Sequence, residues 1–560
     1  MIIDMKQFFL ILLLTGTALR LAAEVKNATL RERIYVQTDK QLYLAGEQVR
    51  MKLMTLDTEQ RPLIFSKVAY AELVSDSLAK IQIKVALTNG AGEGRMSLPV
   101  DLPTGYYRLI AYTQYMRNEG EQVFFEKNIG VINTFQSGYY PVTAPSEGSI
   151  NETITPTANV KMQPDKTIYS TCEQGELVIT GLPANIHTLS VSIAGKEMIE
   201  NLTFAQKRLP TETAVLKNDY LPEYEGHIIT GTIIDNQTGK AALDNTFVTP
   251  VLSFPGEGIR IFTGQKNKSG VVRFYTSANY ETKQIATAVY NADEKYRIDV
   301  QSPFVTHFTP KAMPVLSIDT AYYEQLLARS VALQALHYFS DDANKNATIS
   351  EQTLVLNPSN SYPLDDYTRF TTMHEVFIEF IMNARFRRRD SARELSVVVK
   401  KGNDYYYSTN PLVLLDGTPI VNHDLIYNFD PLSVEHINIY NNMCIFGGYT
   451  FEGIVELKTY NGQVQDLDFG KATQIIMYEG PQTYTQVDMP DYSAGKNRNN
   501  RIPDGRHTLL WNPNIQTDRQ SSIRIPFATS DLTGDFQATI EGITPTGEVI
   551  HSTATFKVTK

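Results

Sequence analysis

Apolar and polar residues alternate along much of the first third of the chain, with the two-residue period of a β-strand. The clearest case is residues 48–56 (QVRMKLMTL). Turn sequences at 89–92 (NGAG) and 102–105 (LPTG) punctuate the pattern, and the apolar run 106–113 (YYRLIAYT) follows. Short strands separated by turns at this spacing predict a β-sandwich.

Similar segments continue through the middle of the chain. Residues 176–181 and 188–194 predict strands of a second, smaller sandwich, and residues 226–235 (GHIITGTIID) open a third. Residues 136–155 are rich in Ser, Pro, Gly and Thr, which is the composition of a linker. We therefore expect several β-sandwiches in tandem.

Two segments depart from the strand pattern. Residues 318–340 carry a broad apolar face at helical spacing, which predicts a helix that packs on a neighbouring domain. Residues 365–468 combine a predicted helix at 370–382 with predicted strands at 395–400 and 411–420, which indicates a small α+β domain. The predicted fold class is mainly β and multidomain.

The N-terminus has the three regions of a secretory signal peptide. Lys6 supplies the positive region, residues 8–19 the apolar region and residues 21–23 (LAA) the small residues of a cleavage site. An uncleaved membrane anchor is the alternative. No later apolar stretch is long enough to span a bilayer. We expect an exported protein that is membrane-associated but not membrane-spanning.

Three phrases near the N-terminus resemble the second macroglobulin domain of the alpha-2-macroglobulin family: residues 35–40 (YVQTDK), 43–47 (YLAGE) and 102–107 (LPTGYY). Residues 506–513 (RHTLLWNP) and 534–542 (GDFQATIEG) are similar to a late macroglobulin domain. The resemblance implies β-sandwiches at both ends of the chain.

Two further resemblances lie between these ends. Residues 226–235 and 267–274 (NKSGVVRF) resemble the carboxypeptidase regulatory-like sandwich. Residues 411–420 (PLVLLDGTPI), 430–440 (DPLSVEHINIY) and 453–459 (GIVELKT) resemble the plug domain of TonB-dependent outer-membrane receptors. Only about 100 residues follow, so we expect no transport barrel in this chain.

The patterns and resemblances together predict tandem macroglobulin-type or immunoglobulin-like sandwiches and one small α+β plug-like domain. The predicted units are a signal peptide (1–23), a macroglobulin-type sandwich (24–135), a linker (136–155), a second small sandwich (156–223), a carboxypeptidase regulatory-like sandwich (224–310), a helix and connector (311–364), a plug-like domain (365–468) and a C-terminal macroglobulin-like sandwich (469–560).

Composition narrows the possible partners. The formal net charge of -10 argues against nucleic acid, because a partner of nucleic acid needs a basic face to neutralise phosphates. Hydrophobic residues make up 42% of the chain, which is enough to build packed cores. The two cysteines, Cys172 and Cys444, lie in different predicted domains, so we expect no disulfide between them.

No catalytic, cofactor-binding or metal site is predicted. Cys172 is followed by Glu173 and Gln174, but the glycine of the Cys-Gly-Glu-Gln thioester that macroglobulins carry is missing. His374 has no second histidine four residues later, where a zinc protease needs one, because Ile378 is there. Neither a nucleophile elbow nor a phosphate-binding glycine loop is present. We expect no enzymatic activity and no cofactor.

One basic run is the best candidate for an interaction site. The run, residues 385–389 (RFRRR), suggests contact with an anionic lipid or lipopolysaccharide, or with an acidic partner protein. The alternative without a binding role is a solvated loop whose arginines pair with local acids. Residues 405–407 are consecutive tyrosines, of which at most two share one face of a strand. The possible interaction residues are Arg385, Arg387, Arg388, Arg389, Tyr405 and Tyr407.

The predicted function is that of a non-enzymatic structural or interaction protein of the Gram-negative cell envelope, in the periplasm or associated with the outer membrane. It would dock to envelope or outer-membrane proteins through its sandwiches and its plug-like domain. Two alternatives are a macroglobulin-like protease inhibitor without a thioester, with residues 136–155 as bait, and an accessory binding protein for TonB-dependent nutrient uptake. The oligomeric state is left open.

Overall fold

The computed structural model describes sixteen stretches of the chain. The predicted signal peptide and residues 137–155 of the predicted linker lie outside them. The described residues are 30–136, 160–196, 215–242, 247–256, 258–276, 284–292, 294–313, 316, 323–339, 356–389, 392–401, 403–462, 467–483, 490–492, 503–517 and 521–560.

The N-terminal sandwich packs a three-stranded sheet, β1-β3-β6, against a five-stranded sheet, β2-β8-β7-β4-β5. Apolar residues of both sheets, such as Met51, Tyr70 and Leu109, meet in one core. Its strands are β1 (Arg33–Thr38), β2 (Leu42–Leu44), β3 (Gln48–Leu56), β4 (Val68–Ser75), β5 (Leu78–Ala86), β6 (Ala91–Ser97), β7 (Gly105–Tyr112) and β8 (Phe125–Ile132).

The C-terminal sandwich draws strands from two distant parts of the chain. Its sheets are β10-β32-β31-β12-β29 and β30-β11-β9, and a single core joins residues such as Leu177 and Val191 to Phe527 and Ile540. Its strands are β9 (Lys161–Pro164), β10 (Ile168–Ser170), β11 (Gln174–Thr180), β12 (Thr188–Gly195), β29 (Thr508–Asn512), β30 (Ser522–Ala528), β31 (Gly534–Ile543) and β32 (Val549–Thr559).

This arrangement corrects the predicted boundaries. The units expected at 156–223 and 469–560 are not two sandwiches, because their strands share both sheets. Four strands from the earlier segment are too few to close two sheets around a core, and the later segment completes them. Part of 469–560 also leaves this sandwich, because β28 (Thr473–Met477) pairs with β18 (Gln284–Tyr290) of the middle sandwich.

The middle sandwich has two four-stranded sheets, β16-β17-β13-β19 and β15-β14-β18-β28. Residues such as Ile233, Phe274, Leu252 and Ile285 fill the space between them. Its remaining strands are β13 (His227–Asp235), β14 (Thr249–Ser253), β15 (Ile261–Thr263), β16 (Gln265–Lys266), β17 (Val271–Thr276) and β19 (Tyr296–Val300).

A mixed unit, residues 356–462, forms the fourth part of the fold. Its five-stranded sheet has the order β20-β26-β27-β24-β25, and a three-stranded antiparallel sheet, β21-β22-β23, packs beside it. Its elements are α2 (Met373–Glu379), α3 (Asp424–Tyr427), β20 (Asn360–Pro363), β21 (Ala384–Arg389), β22 (Ala392–Lys401), β23 (Asp404–Tyr407), β24 (Leu412–Leu415), β25 (Thr418–Pro419), β26 (Val434–Phe446) and β27 (Tyr449–Thr459).

Helix α1 (Tyr323–Phe339) rests on the N-terminal sandwich. Leu326 and Leu333 pack against Leu42, Leu44 and other residues of that sandwich. The prediction that this helix packs on a neighbouring domain is confirmed, although two residues of its predicted apolar face, Leu327 and Val331, are exposed. The fold class predicted from the sequence, mainly β with several sandwiches, is also confirmed.

Candidate functional site

The three-stranded sheet β21-β22-β23 presents two different faces because side chains alternate along each strand. The inner face packs on the core of the mixed unit through Ala384, Leu395, Val397 and Val399, all nearly inaccessible to solvent. Phe386 adds an edge-to-face contact with Phe377 of α2, with ring centroids 5.0 Å apart. The apolar inner face therefore holds the sheet in place and turns its other face outward.

The outer face gathers four of the six predicted interaction residues. In the register of the sheet, Arg385 lies opposite Ser396, and Tyr407 lies opposite Val398, so the two meet diagonally across β22. The guanidinium carbon of Arg385 is 3.8 Å from the ring centroid of Tyr407, and that of Arg387 is 5.1 Å from it. We call Arg385, Arg387, Tyr405 and Tyr407 the Arg–Tyr face.

Charge on the Arg–Tyr face is only weakly compensated. Both arginines are exposed, and within the described part of the chain neither makes an ion pair. Glu394 lies opposite Arg387 in the register, while Lys400, opposite Tyr405, adds a further cation. Stacking on Tyr407 orders the guanidinium groups and leaves their N–H donors free to bind a carboxylate or phosphate.

Of the two remaining predicted residues, Arg388 lies apart from this face. Arg388 is exposed but alternates to the opposite side of β21, and Arg389 ends the strand. The side chain of Arg389 lies outside the described residues. The alternative without a binding role is wrong only in placing this run in a loop, because residues 384–389 pair with β22 along their whole length.

A histidine supports the sheet from the inside. Nδ1 of His423 accepts a hydrogen bond from the backbone N–H of Leu395, at 3.0 Å. Leu395 lies beyond the part of β22 that β23 covers, so this imidazole replaces a missing strand partner. Burial lowers the pKa of His423 to about 4, and the neutral ring can accept the bond at neutral pH. Nothing in the sequence around His423 signals this role.

The other residues considered for chemistry are held in structural contacts. Cys172 and Cys444 are free thiols, and the Sγ of Cys172 donates to Asp531 at 3.3 Å. Burial, together with Asp531, raises the pKa of the Cys172 thiol, which disfavours a thiolate nucleophile. The ring of His374 packs on Tyr427, with centroids 5.1 Å apart.

Metal-binding clusters and membrane-spanning helices are both absent from the described residues. They contain no group of three His, Cys, Asp or Glu side chains arranged to hold a metal ion. None of the helices in this part of the chain combines the length and apolar character that crossing a bilayer requires.

Fold and site define a β-sandwich protein with an arginine- and tyrosine-rich exposed sheet. Comparison with protein families adds that residues 33–126 match the model of the MG2 domain. The N-terminal sandwich is therefore a macroglobulin domain, as its sequence phrases predict. A comparison with curated proteins finds no match.

Solved structures that this chain matches include bacterial alpha-2-macroglobulins. Salmonella alpha-2-macroglobulin reacted with methylamine is 9% identical with a TM-score of 0.24, and the match covers 94% of this chain and 39% of that one. Trypsin-activated alpha-2-macroglobulin from Escherichia coli is 9% identical with a TM-score of 0.24, covering 94% and 41%. The chain thus spans about two fifths of the length of these proteins.

Proposed function

We propose that this chain is a non-enzymatic interaction protein of the Gram-negative cell envelope that docks to another envelope or outer-membrane protein through the Arg–Tyr face. The observation that carries the proposal is the stacking of Arg385 and Arg387 on Tyr407, on a sheet face where both arginines are exposed. Arginine and tyrosine are the residue types enriched among the energetically dominant contacts of protein interfaces.

The rest of the chain would act as a stiff support for this face. Polar contacts tie the N-terminal sandwich to the C-terminal one: Tyr35 donates to Glu541 at 2.9 Å and Thr508 donates to Asp39 at 2.8 Å. Lys52 of β3 is buried in the same interface and bonds to Thr188 and the carbonyl of Pro513. The resemblance of residues 365–468 to a receptor plug supports an outer-membrane protein as the partner.

An in-cell crosslinking experiment tests the proposal. A photoreactive amino acid placed at Tyr405, 67% exposed, should capture one dominant outer-membrane or periplasmic partner. Arg385→Glu with Arg387→Glu should abolish that crosslink. Lys240→Glu with Lys268→Glu, two exposed lysines of the middle sandwich, changes the net charge equally and should keep it.

Two other results would overturn the proposal. A crosslink that survives charge reversal on the Arg–Tyr face would show that these arginines do not hold the partner. A covalent product with a protease would instead favour the inhibitor alternative, which has the MG2 match in its support.

A further inference from the structure

Strand β21 is an edge of its sheet, and the direction of its hydrogen bonds can be read from the register. The N–H of Val398 donates to the carbonyl of Asn383 at 2.8 Å, so this residue pair is a hydrogen-bonded one. Bonded and non-bonded pairs alternate along an antiparallel ladder. Arg385 and Arg387 therefore bond to β22, whereas Phe386 and Arg388 point their backbone N–H and C=O groups away from the sheet.

The outward groups of β21 are open within the described part of the chain. No described strand pairs with that side of β21, since the sheet order is β21-β22-β23. On the opposite edge of β22, where β23 pairs, the backbone N–H of Val397 donates to the side-chain hydroxyl of Ser408 at 2.8 Å. That N–H is therefore not open to another strand. An open row of peptide groups is a template on which another extended chain can pair.

Charge decides what kind of chain this edge can accept. Arg385, Arg387 and Arg388 stand on both faces of β21 and are all exposed. Charged residues on an edge strand prevent pairing with a like-charged strand, so a second copy of β21 is repelled. A strand with acidic residues opposite the arginines gains ladder hydrogen bonds and ion pairs together.

We propose that an extended acidic segment of a partner protein adds to β21 as a fourth strand of the β21-β22-β23 sheet. The inference rests on the proposed docking function and names the chemistry of its partner. Carboxylates at alternate positions of the added strand lie beside Arg385 and Arg387 on the Arg–Tyr face. Backbone pairing with Phe386 and Arg388 supplies affinity that does not depend on side chains.

A backbone variant separates strand addition from contact through the face alone. Arg388→Pro removes an outward N–H without breaking a bond to β22, and proline is tolerated at edge positions of this kind. Arg388→Ala removes the same side chain and keeps the N–H, so it is the matched control. The probe is a fluorescein-labelled peptide of alternating Glu and Thr, with a Lys and Thr peptide as the charge control.

Binding of the acidic peptide, followed by fluorescence anisotropy, should weaken about tenfold or more in Arg388→Pro and far less in Arg388→Ala. Hydrogen exchange of the wild-type protein should show that the acidic peptide protects the fragment containing residues 384–389. The hydrogen-exchange measurement uses the wild-type protein, so it tests strand addition even if the proline variant does not fold.

Equal binding by the proline and alanine variants, with loss only on charge reversal of Arg385 and Arg387, would overturn strand addition and leave docking through the face intact. Absence of peptide binding would also overturn strand addition. The docking function would still be tested independently by the crosslinking experiment in cells. Binding to anionic phospholipid vesicles in place of the peptide would assign the basic edge to a membrane surface and overturn the inference.

Discussion

Nε1 of Trp511, the single tryptophan of the chain, donates a hydrogen bond of 2.8 Å to Oε1 of Glu93. This bond joins β29 of the C-terminal sandwich to β6 of the N-terminal one. Trp511 is 6% exposed, and burial raises the pKa of Glu93 to about 7. The one intrinsic indole fluorophore therefore reports on a carboxyl group that titrates near neutral pH.

We expect the fluorescence of Trp511 to change with a midpoint near pH 7. Above that pH the indole N–H faces the carboxylate of Glu93, and below it the carboxylic acid. The folded pKa of Glu93 lies above the ordinary value of 4.5, so the contribution of this group to stability is lost as pH rises from about 4.5 to about 7.

Glu93→Gln should remove the fluorescence titration. Burial also lowers the pKa of nearby Lys52 to about 7, so Lys52→Met is the necessary control and should retain a titration. A midpoint that is the same in wild type and in Glu93→Gln would show that Glu93 is not the group involved.

Helix α1 is held by a buried ion pair whose loss should be costly. Nε and Nη2 of Arg329 each lie 2.8 Å from a carboxylate oxygen of Glu47, and Nζ of Lys40 lies 2.9 Å from Oε2. The neighbouring Arg329 and Lys40 charges hold the pKa of Glu47 well below its usual range. Arg329→Ala should lower the free energy of unfolding by about 3–5 kcal/mol, because it leaves a buried charge with one partner fewer.

Urea denaturation measures that loss, and an exposed pair provides its control. Arg297 and Asp299 lie 2.8 Å apart with side chains 30% and 48% exposed. Arg297→Ala should cost less than about 1 kcal/mol. Similar losses in the two variants would mean that Glu47 and Arg329 are not an energetically buried pair.

Local periodicity explains which parts of this fold the sequence could predict. Strand β3 was expected at residues 48–56 and is observed there, because alternation is a property of neighbouring residues. The same alternation suggests that Lys52 faces solvent, yet it is buried, since a second sandwich covers that face. Pairing of β12 with β31, distant in sequence, leaves no periodic trace, so the shared C-terminal sandwich could not be foreseen.

The candidate site was predictable to a similar extent. The shared face of Tyr405 and Tyr407 follows from the alternation of a strand. The stacking of Arg385 on Tyr407 does not, because it depends on a register between strands that the sequence does not state. Three arginines in a row are unusual in a strand, and only the apolar inner residues Ala384 and Phe386 signal that residues 384–389 form one.

Gly453 allows the two sheets of the mixed unit to approach each other. Its φ is +87°, and a Cβ there would lie 2.9 Å from the carbonyl oxygen of Tyr440 and 3.0 Å from Cγ1 of Val397. Gly453→Ala should lower the unfolding free energy by more than about 2 kcal/mol, through backbone strain and the close contact with β22.

Gly448 is the matched control for this substitution. Its φ is +91°, but nothing lies within 4 Å of its would-be Cβ. Gly448→Ala should cost about 1–2 kcal/mol from backbone strain alone. Thermal or urea denaturation compares the two variants, and equal losses would show that contact with Val397 and Tyr440 is unimportant.

The support of the Arg–Tyr face by His423 should make the face sensitive to acid. Only the neutral ring can accept the N–H of Leu395, and the folded pKa of about 4 lies below the ordinary value of 6.5. The unfolded chain therefore binds the proton more readily, and the stabilisation from His423 is lost as pH falls from about 6.5 to about 4.

His423→Asn places a different acceptor at this position and removes the titration. It should flatten the decline of stability between pH 6.5 and pH 4, measured by urea denaturation at several pH values, relative to wild type. His374→Asn is the control, because His374 packs on Tyr427 outside this hydrogen bond, and it should keep the wild-type decline. Hydrogen exchange in the fragment containing Leu395 should accelerate in acid beyond its intrinsic pH dependence in wild type and not in His423→Asn. An unchanged decline in His423→Asn would show that protonation elsewhere governs the acid sensitivity of this sheet.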